Sequence, residues 1–110
     1  MIYVNIKKRR GIRWLRLRVT GHAGQAEIGQ DIVCASASIL TYTVAQIVKD
    51  MGERGRLKKE PVISLEDGCA TISCVCKDNE SYYEALSAYN VALVGYSLLA
   101  HNYPQYVEIK

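Results

Sequence analysis

An α+β fold, with two long helices packed against a mostly antiparallel sheet, is what this sequence predicts, and three observations predict it. Two segments near the N-terminus alternate apolar and polar residues on either side of a basic turn. Two longer stretches, beginning near residues 31 and 81, carry apolar side chains at helical spacing. An Asp67-Gly68 turn joins a further pair of strand-like runs. The element order is therefore ββαββα, with the tail able to add a last β, and residues 1–110 form a single domain.

Each element has its own warrant. Ile2, Val4 and Ile6 alternate with Tyr3, Asn5 and Lys7, the period of a half-buried strand. KKRRG makes a polar turn, after which Leu15, Leu17 and Val19 take one face of a second strand and Arg16, Arg18 and Thr20 the other. His22 shares the parity of Arg18 and Thr20, so it emerges on the polar side at the mouth of a loop. Gly21, Gly24 and Gly29 punctuate that loop, which reads as a gate that a bound substrate orders. Asp31 suits the N-cap of a helix running to about Met51, with Gly52 as its stop. Val33, Ala37, Leu40, Val44, Ile47, Val48 and Met51 form its apolar stripe.

Pro61 opens a third strand, VISLE, and CATISCVCK returns as the fourth. A second helix starts near Ser81 and runs to about Asn102, ahead of Pro104. Tyr82, Tyr89, Tyr96 and Tyr103 recur every seven residues on it, near one face. That face reads as core, and its small neighbours Ala85, Ala88 and Ala92 also suit packing across a homodimer. YVEIK supplies the short final strand.

The bulk properties narrow the function classes. Net charge is +3, with the excess gathered in Lys7, Lys8, Arg9, Arg10, Arg13, Arg16 and Arg18. So mild an excess fits a solvated hairpin, and nucleic acid is expected as a partner only indirectly, if at all. The alternative is a ribosome- or RNA-associated binding module that uses Arg9, Arg10, Arg16 and Arg18 and does no catalysis. No uninterrupted run of ~18 apolar residues is present, so no membrane partner is expected. The N-terminus has its charge after its apolar residues, the reverse of a secretory signal. Four cysteines then read as reduced thiols of a cytoplasmic protein.

The cysteines differ from one another. Cys74 and Cys76 share a strand face with Ala70 and Ile72 and read as small core residues, while Cys69 has the opposite parity. No zinc-finger spacing occurs, and His101 near the end of the second helix suits the helix dipole, so neither metal nor cofactor is expected. Cys34 stands apart. With Asp31 as the cap it is the third helical residue, where free N–H groups and the dipole favour a thiolate. Ala35, Ser36 and Ser38 leave space around it. A thiolate nucleophile needs a base that later protonates a leaving amine, and His22 lies one loop away. Residue types and spacing permit a catalytic pair, and equally a packing cysteine beside an unrelated histidine.

The stretch GHAGQAEIGQDIVCASAS resembles the signature of the Prp (YsxB-like) family, the ribosomal-processing cysteine proteases of Firmicutes and related bacteria. The family pattern is GHA, a short glycine-containing loop, then G-x-DIVCAA-x-S. Gly21-His22-Ala23, Gly29, Asp31 through Ala35, and Ser38 match it, while Ser36-Ala37 replaces the usual Ala-Val. The likeness extends over both hairpins and both helices. It implies a small cytoplasmic endopeptidase, typically a homodimer, whose protein substrate is a large-subunit ribosomal protein with a removable N-terminal extension. It implies His22 as catalytic histidine and Cys34 as nucleophile, supported by Gly21, Gly29 and Ser38. Asp31 either orients His22 or caps the helix that carries Cys34. ILTYTVAQ resembles phage-carried versions of the family, which implies a phage capsid-related protein as the other candidate substrate.

Overall fold

The computed structural model describes residues 1–22 and 28–110, with only the backbone of residues 28–31. The loop expected to act as a gate lies outside the described residues, as do the side chains of Gln30 and Asp31. Five strands, β1 (Ile2–Arg9), β2 (Trp14–Gly21), β3 (Val62–Glu66), β4 (Cys69–Val75) and β5 (Val107–Ile109), form one sheet in the order β3-β4-β2-β1-β5. Helices α1 (Ile28–Glu53) and α2 (Asn79–Asn102) complete the ββαββαβ order. All pairings are antiparallel except β1 with β5, where Ile2 lies opposite Val107.

The β1–β2 turn tightens into a single 3-10 turn over Arg10–Ile12, and Arg13 then takes a left-handed conformation with φ of 54°. Its N–H donates to the Arg10 carbonyl at 3.1 Å, which sets the register that puts Arg9 opposite Trp14. At the other hairpin Gly68, with φ of +75°, supplies the conformation the Asp67-Gly68 turn requires.

Both helix starts differ from expectation. Helix α1 begins at Ile28, so Asp31 sits inside its first turn rather than at the N-cap, and Cys34 lies in the second turn. An acidic residue is favoured at either place, because both lie at the positive end of the dipole. Helix α1 also continues through Gly52; the left-handed residue beyond its end is Gly55, whose N–H donates to the Gly52 carbonyl. Helix α2 starts two residues before Ser81 because Asp78 is its cap. The Asp78 carboxylate accepts from the Ser81 N–H at 2.8 Å, and the Ser81 hydroxyl accepts from the Asp78 N–H at 3.2 Å.

Both helices cover one face of the sheet. Ile2, Val4, Leu15, Leu17, Ile72 and Cys74 point into the core, and Val33, Val44, Val48 and Met51 meet them from α1. Each such large side chain contributes roughly 1.5–3 kcal/mol on burial. By length and composition residues 32–53 of α1 would suffice to cross a membrane, contrary to the expectation of no such span, yet the apolar stripe of this helix is buried in the core. The tyrosine stripe of α2 is also core: Tyr82, Tyr89 and Tyr96 are buried within the chain. Tyr89 donates to the Ile72 carbonyl at 2.9 Å, and Tyr96 shares a 2.6 Å hydrogen bond with Thr41 of α1. The two helices approach closely at Gly95, where an added Cβ would come within 2.7 Å of Leu40. Among the described residues, no helix covers the opposite face of the sheet.

Candidate active site

Three backbone segments converge at one end of the sheet: the start of β1, the end of β2 and the turn between β3 and β4. Gly21 ends β2 with φ of +89°, and its N–H donates to the Gly68 carbonyl at 2.9 Å. A Cβ at Gly21 would collide with the Met1 carbonyl oxygen, so only glycine fits there. This junction delivers His22 to the rim of the sheet. The Met1 amine donates to the His22 carbonyl at 2.5 Å, and the imidazole lies against Gly68, whose absent Cβ leaves the space it occupies.

Helix α1 forms the facing wall. Cys34, Ala37, Ser38 and Thr41 repeat at one-turn spacing along it, and together with Gly21, His22 and the β3–β4 turn they enclose a cavity of about 380 Å³. That volume is within the range of sites that bind small molecules or a few residues of a peptide. Cys34 is half-buried, partly packed against the core and partly open to the cavity. Among the described residues no hydrogen bond joins Cys34 to His22.

The other thiols have different surroundings. Cys74 and Cys76 are buried, as their strand parity predicts. The hydrogen bond that the Cys76 thiol donates to Cys74, followed by burial, pushes the Cys76 thiol up, which leaves it protonated and unreactive at neutral pH. Cys69 opens β4 at the floor of the cavity and is half-exposed.

The structure thus gathers Gly21, His22, Cys34 and Ser38 about one cavity. Gly29 and Asp31 belong to α1, and the side chain of Asp31 lies outside what the structure describes. Two residues that sequence reasoning treated only as turn formers belong to the site. Asp67 places Oδ1 3.9 Å from His22 Nδ1, and Gly68 carries the imidazole. The only sequence signal for either was the Asp-Gly dipeptide. Leu65 and Glu66 of β3, and Tyr42 of α1, line the same cavity.

Comparison with known proteins identifies the family. The family model for the cysteine protease Prp matches residues 1–108. The crystal structure of SMU.848 from Streptococcus mutans is 29% identical, with a TM-score of 0.68 over 100% of this chain and 92% of that one. The essential ribosomal processing protease Prp from S. aureus, solved with a covalently linked product peptide, is 26% identical, with a TM-score of 0.70 over 100% of this chain and 98% of its own. None of the curated proteins matches the chain. A match along nearly the whole sequence, on a fold that closes around a cysteine-lined cavity, leads to one conclusion: the chain belongs to the Prp family of cysteine proteases.

Proposed function

We propose that this protease removes a short N-terminal segment from a ribosomal large-subunit protein, with Cys34 as nucleophile and His22 as its base. The observation that carries the reading is that His22 and Cys34 open onto the same cavity from facing elements. In the proposed reaction His22 takes the thiol proton and the Cys34 sulfur attacks the scissile carbonyl. His22 then protonates the leaving amine, and the C–N bond breaks to leave an acyl-enzyme. Water, deprotonated by His22, releases the new carboxylate and regenerates the thiol. Asp31, which does not cap the helix, keeps the proposed role of orienting His22. The S. aureus relative, solved with a covalently linked product peptide, supports a peptide substrate.

The reading assigns the enzyme to the cytoplasm, where a thiol nucleophile stays reduced. It also makes the enzyme a homodimer through the helix layer. Leu40, Ile47, Ala88 and Val91 line an apolar groove of about 230 Å³ between the helices. Val91, Val94 and Leu98 are more than half exposed beside it. Light scattering at working concentration tests this, and a monomer mass would overturn it.

The deciding experiment incubates the protein with two substrates, a ribosomal protein carrying its N-terminal extension and a phage capsid-related protein, and reads the products by intact mass. Cleavage of the first near its N-terminus, lost in Cys34→Ala and His22→Ala, is expected. Cleavage of the capsid-related protein alone would reassign the substrate. Full turnover by Cys34→Ala would overturn the mechanism.

A further inference from the structure

The face of the sheet turned away from the helices carries a pattern that proteolysis does not use. Tyr3, Asn5, Lys7 and Arg9 of β1 lie beside Thr20, Arg18, Arg16 and Trp14 of β2 in cross-strand register. Lys7 is directly opposite Arg16, with Arg18 and Arg9 as neighbours on the same face. Like charges placed opposite each other destabilise a sheet, so the pairing has a cost. Carboxylates do not relieve it: none of Lys7, Arg9, Arg16 and Arg18 forms an ion pair among the described residues. The acidic residues of this face, Glu66 and Glu108, stand on the two edge strands. Arg16 has only a 3.5 Å hydrogen bond to Asn5, and its Nε is buried with no partner.

Aromatic rings accompany the charge. Arg9 and Arg16 both stand over the Trp14 ring, at 5.9 and 5.8 Å from its centroid, and Lys110 lies 4.3 Å from the centre of Tyr3. Trp14 and Tyr3 are partly exposed on a surface with no helix above it. A twisted, solvent-open sheet with aromatic rings among unpaired guanidinium groups offers two contacts at once: stacking for unpaired bases and charge for the phosphates between them. An acidic protein surface would use the charges and leave the rings idle. Arg18 and Trp14 lie on the side of β2 opposite the core, and Trp14 is at the end remote from His22, about 26 Å along the strand. The peptide cavity and this face can therefore be occupied together.

We propose that the β1–β2 face binds single-stranded RNA, with Lys7, Arg9, Arg16 and Arg18 on phosphates and Trp14 stacked on a base. Trp14 is the only tryptophan of the chain, so its fluorescence reports directly on the face. The test titrates fluorescein-labelled 12-nucleotide oligouridine and follows both anisotropy and tryptophan emission at several salt concentrations. Saturable binding with quenching of Trp14 is expected, weakening with salt at a log–log slope of about −3, as four phosphate contacts to a single strand give. Arg18→Glu, an exposed position, should weaken binding at least tenfold, and Trp14→Ala about tenfold, with melting curves confirming that both variants are folded. Absence of saturable binding, or affinity unchanged in Arg18→Glu, overturns the proposal. So does polyglutamate that competes as well as the RNA, which would assign the face to an acidic protein.

Discussion

The Nδ1 atom of His22 and the Oδ1 atom of Asp67 are 3.9 Å apart, although 45 positions separate the two residues in sequence and each side chain is mostly exposed to solvent. The distance is too long for a hydrogen bond, and the contact becomes a solvated charge pair only when His22 takes up a proton. Solvent largely screens such an exposed pair, so its effect on the rate is a small factor. Asp67→Asn should therefore lower kcat/KM two- to fivefold, measured by peptide hydrolysis. A loss of a hundredfold or more would make Asp67 a full orienting partner of the histidine.

Gly68 gives a sharper test. A Cβ there would lie 2.5 Å from His22 Nε2, and φ of +75° disfavours any side chain. The obstructed atom is the far end of a mobile ring, so the ring yields and the backbone stays. Gly68→Ala should reduce activity more than tenfold while costing only about 1–2 kcal/mol of stability, the ordinary penalty of a left-handed alanine. Equal activity with a lowered Tm would show that the ring position against Gly68 does not matter for catalysis.

Glu84 tests how the connection after α1 is anchored. Its carboxylate accepts hydrogen bonds from Arg54 and from Arg56, the latter at 3.1 Å. Hydrogen bonds from Arg54, opposed by partial burial and aided by Arg56, hold the Glu84 carboxyl below its usual range. A depressed carboxyl stabilises the fold above the unfolded-state value near 4.3, and that contribution is lost as pH falls through the folded value. Glu84→Gln should lower Tm by a few degrees at pH 7, equivalent to about 1 kcal/mol. The gap to wild type should close below about pH 4.

Tyr96 has the opposite dependence. Burial pushes its hydroxyl up to about 12, against the pull of the Thr41 hydrogen bond. A raised acidic group stabilises the fold below the unfolded value near 10, and that stability is lost as pH rises towards the folded value. Tyr96→Phe should cost about 1 kcal/mol at pH 7. Its Tm should then fall less than that of wild type between pH 9 and 11, by differential scanning calorimetry.

Much of this architecture could be read from local pattern. Strand β3 falls on the VISLE run, and parity along β2 and β4 separates Leu15, Leu17, Ile72 and Cys74 from the opposite face. The helix starts resisted for a physical reason. Aspartate is favoured both at a cap and within the first turn, so Asp31 and Asp78 look alike in sequence although only Asp78 caps. Ser81 looked like a start because it completes the capping box three residues in. Proximity across the fold was not legible at all. Nothing local in an Asp-Gly turn announces that it will lie beneath a histidine from another hairpin, or that a three-residue tail will pair in parallel with β1.

That parallel pairing constrains how the protein is made. Ile2, Val4 and their neighbours find their outer partners in Val107 and Ile109, and the Asn5 side chain donates to the Lys110 carbonyl across 105 positions. Such a closure is the slowest kind of contact to form, because nearly the whole chain must be ordered or looped out before it pays back any entropy. During synthesis the outer edge of β1 waits, unpaired, until β5 has emerged from the ribosome. The outer edge of β1 is thus sealed only after β5 has formed, and the wall of the cavity built on Ile2 becomes permanent at that step.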